Sequence, residues 1–226
     1  MNYDSYQDQV VQRTGESVLA TNKVLRNTYL LLSMTIAFSA VMAYVGTLLN
    51  LGHLAGFVCW GVGFALLFVT RFLRNSPFGL VSIFAFVGAM GLSIAPTMNY
   101  YLTMFSNGQE LILTSLALTS GIFIALSAIS IVTKKDFGFL GKFLFIGLIV
   151  GIIAAIANIF FQIPALSLAV SGMFVLIFSG YILYDTSRII NGGETNYIMA
   201  TINLYLDILN LFLSLLHILS VIAGDD

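Results

Sequence analysis

In the last apolar stretch of the chain, five polar residues recur every third or fourth position: Asn203, Asp207, Asn210, Ser214 and His217. On a helix that interval puts all five on one face. Asp207 lies about ten residues into the stretch, roughly 15 Å deep at ~1.5 Å per residue. A carboxyl at that depth is costly against lipid, so the stripe must face the interior of a bundle, and an intramembrane acid marks a functional site by default. A second acid, Asp185, stands in Leu183-Tyr184-Asp185-Thr186 near the end of the preceding apolar stretch. If consecutive antiparallel helices bring the two carboxyls together, two like charges in a poorly solvated site resist simultaneous ionisation and can share a proton. Such a pair is a candidate pH sensor and gate. Once ionised, it also offers hard oxygen ligands to Ca²⁺, which takes roughly six to eight oxygens. Asp185 and Asp207 are therefore the candidate ligands of a transported cation, with Asn203 and Asn210 beside Asp207 to help.

Other polar groups gather around this pair as candidates. Arg71 is the base most embedded in apolar sequence, within Leu66-Leu67-Phe68-Val69-Thr70-Arg71-Phe72-Leu73. It reads either as a snorkelling anchor or as a latch that pairs with Asp185 or Asp207, and Arg74 competes for the latch role. Glu110, at the start of the fourth apolar stretch, is a candidate entrance acid that would attract cations. Asn203, Asn210, Ser214 and His217 are candidate pore-lining residues.

The elements that must position these groups are membrane helices. The chain has 226 residues, of which 59% are hydrophobic and only 8% charged, against about 25% charged in soluble domains. Soluble enzymes and nucleic-acid binders are excluded on that count. Alternating strand patterns are absent, and apolar runs long enough to cross about 30 Å of hydrocarbon recur. Seven helical spans are predicted: Thr28–Leu49, Leu54–Leu73, Phe78–Met98, Glu110–Val132, Phe139–Phe161, Ala165–Thr186 and Tyr197–Ile222. Residues 1–27 form a polar N-terminal tail, and residues 28–222 form one transmembrane domain with the seventh helix surrounded by the other six. Pro77 is expected to open the third helix, and Pro96 to kink or end it. The small-residue faces Gly147/Gly151/Ala155 and Ala117/Gly121/Ala125 are expected to pack on neighbouring helices.

The basic residues set the orientation. Of the nine Lys and Arg, Arg13, Lys23 and Arg26 precede the first span. Arg71 and Arg74 lie at the second-to-third connection, Lys134, Lys135 and Lys142 at the fourth-to-fifth, and Arg188 at the sixth-to-seventh. The intervening connections carry none, which predicts a cytoplasmic N-terminus and an outer C-terminus with Asp225 and Asp226 outside. One difficulty follows from these boundaries. Asp185 sits only about a turn from the cytoplasmic edge while Asp207 is deeper, so contact requires the sixth helix to run on through Arg188 and Ile190, or the seventh to begin later.

The stretch from Tyr184-Asp185-Thr186-Ser187-Arg188 through Ile190-Asn191-Gly192-Gly193-Glu194-Thr195-Asn196-Tyr197, with Leu204-Tyr205-Leu206-Asp207-Ile208-Leu209-Asn210 after it, resembles the Bax inhibitor-1 family in its bacterial form. The specific match covers about the last 45 residues. The resemblance implies a multi-pass protein of the bacterial inner membrane, with a seven-helix fold built around its last helix. It also implies a pH-sensitive Ca²⁺ leak whose sensor is the aspartate pair and whose latch is an arginine of the second helix, a part that Arg71 matches by position. Some bacterial relatives instead restrain an ATP-dependent membrane protease of the AAA class, which makes a non-transporting regulator the alternative function. Enzyme chemistry is not expected. The Gly-x-Gly-Asp turn of intramembrane aspartyl proteases is missing before Asp207, and no lysine falls in the last span to hold retinal. The expected partners are the bilayer, Ca²⁺ as transported ion, protons and, on the alternative, the protease. No permanently bound cofactor is expected.

Overall fold

In the computed structural model the described backbone runs from residue 3 to residue 224, and side chains are described from Thr21 onward. The tail residues Asp4, Asp8, Arg13 and Glu16 and the C-terminal Asp225 and Asp226 therefore lie outside the described side chains. Seven α-helices make up the fold: α1 (Tyr3–Leu48), α2 (His53–Leu73), α3 (Phe78–Met104), α4 (Gly108–Thr133), α5 (Leu140–Phe161), α6 (Pro164–Ile190) and α7 (Tyr197–Ala223). Each carries a stretch long and apolar enough to span a bilayer, that of α1 being Thr21–Leu48. Part of the expected polar tail is thus continuous with the first spanning helix.

Local chemistry explains the helix ends. Pro164 occupies the first turn of α6, where its missing donor costs nothing. Asn196 caps α7, its side-chain oxygen accepting from the backbone N–H groups of Ile198 and Met199 at 3.1 Å each. Lys134 and Gln162 close α4 and α5 in the left-handed conformation. Pro77 stands at the start of α3 as expected, but Pro96 does not end that helix, which continues to Met104. The proline ring is buried against the α2 notch at Gly56, where an added Cβ would come within 2.7 Å of Pro96 Cγ. Packing on a neighbouring helix compensates the lost backbone bond, as is common in membrane bundles.

α3 and α7 carry the most buried faces. α7 packs against α1, α3, α4 and α6, while α2 leans on α3 and α5 on α6. The main core gathers Ile83, Phe86 and Val87 of α3 with Ile198, Ile202 and Leu204 of α7 and Leu31 and Leu32 of α1. Polar ties fix α7 to α1: Tyr205 and Ser39 hydroxyls meet at 2.7 Å, and Thr201 donates to the Thr28 carbonyl at 3.3 Å.

Three loops meet at one end of the bundle. The Asn196 side chain donates to the Arg74 carbonyl at 3.1 Å and to Asn75 Oδ1 at 2.9 Å. Ser187 Oγ accepts from the Phe137 N–H at 2.9 Å and donates to the Lys135 carbonyl at 3.1 Å. The α2–α3, α4–α5 and α6–α7 connections, which carry or closely adjoin six of the nine basic residues, therefore form one basic end. That sidedness now stands on hydrogen bonds as well as on charge.

The two small-residue faces differ in outcome. Gly147 and Gly151 of α5 take up Ile177, Met173 and Phe174 of α6, as expected. Ala117, Gly121 and Ala125 of α4 are exposed and receive no helix. A close backbone approach lies elsewhere, at Gly91 of α3, where an added Cβ would overlap the Ser39 carbonyl of α1. Gly91→Leu should therefore lower stability by about 1–3 kcal/mol through overpacking, read as a lower melting temperature in detergent. Gly121→Leu, which meets open space, should leave that temperature unchanged.

Candidate functional site

The site is built by the turn between α6 and α7. α6 does run on through Arg188 to Ile190, which resolves the mismatch in depth between its acid and that of α7. Gly192 then reverses the chain at φ 75°, a value that favours glycine. The N–H groups of Gly193 and Glu194 return to the Arg188 carbonyl at 2.7 and 3.1 Å. Glu194 Oε1 accepts from the Asn196 N–H at 2.9 Å, so the turn is anchored at both ends.

Helix geometry brings the carboxyls to one level. Asp185 lies about 7 Å from the end of α6 and Asp207 about 15 Å from the start of α7, at ~1.5 Å per residue. Side chains on a helix lean toward its N-terminus. On antiparallel neighbours that lean carries Asp185 away from the basic end and Asp207 toward it. The two carboxyls approach each other at the wall of one cavity, with the Asn203 side chain beside Asp185. Both acids are buried, at 8% and 5% exposure, and Asp207 Oδ2 has no hydrogen-bond partner.

The cation beside the pair is Arg188. Its guanidinium stands 4.0 Å from Asp185 Oδ1, lies over the Tyr184 ring at 5.6 Å and donates to the Gly193 carbonyl at 3.0 Å. The structure does not bring the expected latch to the acids: Arg71 is exposed on α2, which packs against α3, and it forms no ion pair among the described residues. Arg74 contributes only its carbonyl, to Asn196. The signal for Arg188 was available in the sequence, because three residues along a helix is a neighbouring position; its place among the loop charges hid it.

A cavity of about 830 Å³ opens onto the pair between α5, α6 and α7. Asp185, Arg188, Asn203, Asp207 and Asn210 supply its polar wall, and aliphatic side chains of α5 with aromatic rings of α6 supply most of the rest. The polar stripe of α7 is interrupted beyond Asn210. Ser214 is buried and donates to the Asn210 carbonyl of its own helix at 2.7 Å, and it lines neither this cavity nor the next. His217 faces a separate cavity of about 330 Å³. Glu110 is exposed in the first turn of α4, at the other end of the bundle from the basic loops.

Two facing carboxyls with one half-exposed guanidinium are a cation short of charge balance, an arrangement in which sharing a proton avoids burying an unpaired charge. The donor set suits a resident metal poorly. No cluster of three or more His, Cys, Asp or Glu occurs among the described residues, and the two acids with Asn203 and Asn210 fall short of the roughly six to eight oxygens that Ca²⁺ takes. Water would have to complete the shell of any cation passing through.

Fold and site together define a seven-helix, multi-pass membrane protein with a buried intramembrane aspartate pair. The profile of the family described as "Inhibitor of apoptosis-promoting Bax1" matches residues 21–224, and the chain belongs to the Bax inhibitor-1 family. It is 45% identical over 221 residues to the "Modulator of FtsH protease YccA" of Escherichia coli K12, covering 96% of this chain and 100% of that protein. An uncharacterised membrane protein of Vibrio cholerae is 47% identical over 212 residues, covering 93% of this chain and 95% of that protein. An uncharacterised protein of Pseudomonas aeruginosa is 48% identical over 203 residues, covering 90% and 91%.

A double-mutant cycle on thermal stability separates the two arginines. Asp185→Asn with Arg188→Gln should show a coupling of about 0.5–3 kcal/mol, whereas Asp185→Asn with Arg71→Gln should be additive within about 0.5 kcal/mol.

Proposed function

We propose that this chain is a regulator of an ATP-dependent, AAA-class protease of the bacterial inner membrane, with its N-terminus in the cytoplasm, its C-terminus outside and its bundle organised around α7. The observation that carries the reading is its likeness, along essentially the whole of both chains, to the Escherichia coli protein named as a modulator of FtsH protease. A second Escherichia coli relative, 45% identical, is named an inner membrane protein, which supports the location. The orientation follows from the basic loops gathered at one end. That end suits docking of a rigid partner, since hydrogen bonds across three loops hold it in one shape. Purification of a tagged chain from its host membranes should bring the protease with it, and added chain should slow degradation of a membrane substrate by the purified protease. Unchanged degradation with no co-purification would sink the reading.

A second reading is a pH-sensitive Ca²⁺ leak, supported by the two buried carboxyls facing the 830 Å³ cavity. Here Asp185 and Asp207 act as sensor, gate and transient cation ligands, Asn203 and Asn210 line the path, and Arg188 takes the latch role expected of Arg71. In proteoliposomes Asp207→Asn should remove most Ca²⁺ flux and its pH dependence. If both persist, the leak reading is wrong. Protease inhibition without any flux would leave the regulator alone.

A further inference from the structure

The outer third of the bundle holds a second polar cluster that the aspartate site does not use. His217 of α7 is bonded at both ring nitrogens to hydroxyls of α6: Ser171 Oγ meets Nδ1 at 2.9 Å and Ser167 Oγ meets Nε2 at 3.3 Å. The ring faces the cavity of about 330 Å³, which Asn158 of α5 also lines. Asn158 lies at the α5–α6 turn, its Oδ1 accepting from the Ile163 N–H at 3.0 Å. Ser167 is near the first turn of α6 and Ser171 one turn deeper, so Nε2 points toward the outer face and Nδ1 toward the membrane interior. Facing this ring from α5 and α6 are neutral polar groups only, with no Asp, Glu, Lys or Arg lining the cavity. On the other helices packed against α7, Glu110 of α4 is exposed at its helix start, and Tyr101 of α3 is buried against Phe212 and Leu216 of α7.

This cavity and the aspartate cavity are neighbours. Phe174, Ala155 and Ile159 line both. Phe174 rests on Gly151 of α5, where an added Cβ would overlap its ring, and it lies tilted by 48° to the Phe178 ring at 5.8 Å. At this level α7 offers Ser214, whose hydroxyl is taken up by its own helix. The polar stripe that looks continuous in sequence is thus divided by an apolar septum.

We propose that the His217 cavity is a proton-uptake site open to the outer face, connected to the Asp185–Asp207 pair through a septum formed by Phe174. A neutral imidazole between hydroxyls, without a carboxylate, suits protons rather than Ca²⁺. In the relay, the ring accepts a proton at one nitrogen from the Ser167 side, becomes imidazolium, and releases the other ring proton on the Ser171 side, returning to a neutral tautomer. The released proton reaches the aspartates when the Phe174 ring swings off Gly151 and water joins the two cavities. The last step rests on the reading of the aspartates as a proton-sharing pair.

Thiol labelling tests the cavity independently of that pair. In a Cys59→Ser background, Ser171→Cys should react with a membrane-impermeant methanethiosulfonate from the outer face only, and Asn210→Cys should react from that face only when Phe174→Ala is also present. An inert Ser171→Cys, or an Asn210→Cys already reactive from outside with Phe174 intact, overturns the proposal. In proteoliposomes carrying an internal pH dye, Phe174→Ala should speed collapse of an imposed proton gradient severalfold. Phe174→Leu, which keeps bulk on Gly151, should behave as the parent. Adding His217→Gln should restore the slow rate, and a rate that stays fast refutes the relay. If Asp207→Asn leaves the fast rate unchanged while labelling is as expected, the aspartate pair fails as the acceptor and the outer cavity stands.

Discussion

Burying two carboxyls within one apolar bundle is the constraint on which the rest of this structure depends. A charged group in hydrocarbon costs several kcal/mol, so Asp207 can be tolerated only if its helix turns that face inward and a partner waits there. The partner is Asp185, itself buried, which makes the problem harder before it makes it solvable. α6 must extend to Ile190, the turn must be tight enough to set α7 antiparallel beside it, and both helices must present their acids at the same level. Gly192, the Asn196 cap and the Arg188 carbonyl acting as a double acceptor meet those demands. Arg188 then adds a cation from the same helix, where no loop movement can separate it from Asp185.

The same constraint accounts for the distribution of polar groups elsewhere. Most hydroxyls in the spans bond back to carbonyls of their own helices, as Ser115, Thr119 and Ser214 do, and so cost little in lipid. The polar side chains that line cavities are concentrated along the facing sides of α5, α6 and α7. On the α1–α3 side backbones come into close approach, as at Gly91.

A regulatory role and a proton-responsive site are physically compatible in one molecule. The loops that tie the basic end together are continuous with the helix ends that hold Asp185 and Asp207. The α6–α7 turn follows Asp185 by five residues and is bonded to the α2–α3 connection through Asn196. A partner seated on that end would sense the state of the pair through a short chain of bonds.

The sequence by itself determined the number of spans and the gathering of the basic residues toward one end of the bundle, because length, charge and helical periodicity are local properties that the bilayer acts on directly. It also singled out Asp185 and Asp207, since an acid within an apolar run is conspicuous without any fold. Of the two outcomes expected at Pro96, an ended helix did not occur, because the local rule about helix ends gave way to packing against Gly56. The α4 small-residue face misled in the same way, since spacing shows that a helix could approach and not that one does. Which arginine meets the acids, and the placement of Asn210 and His217 in different cavities, were decided only by the tertiary structure. Both depend on which helices become neighbours and on how far each side chain leans along its axis, and those distances arise only when the bundle is assembled.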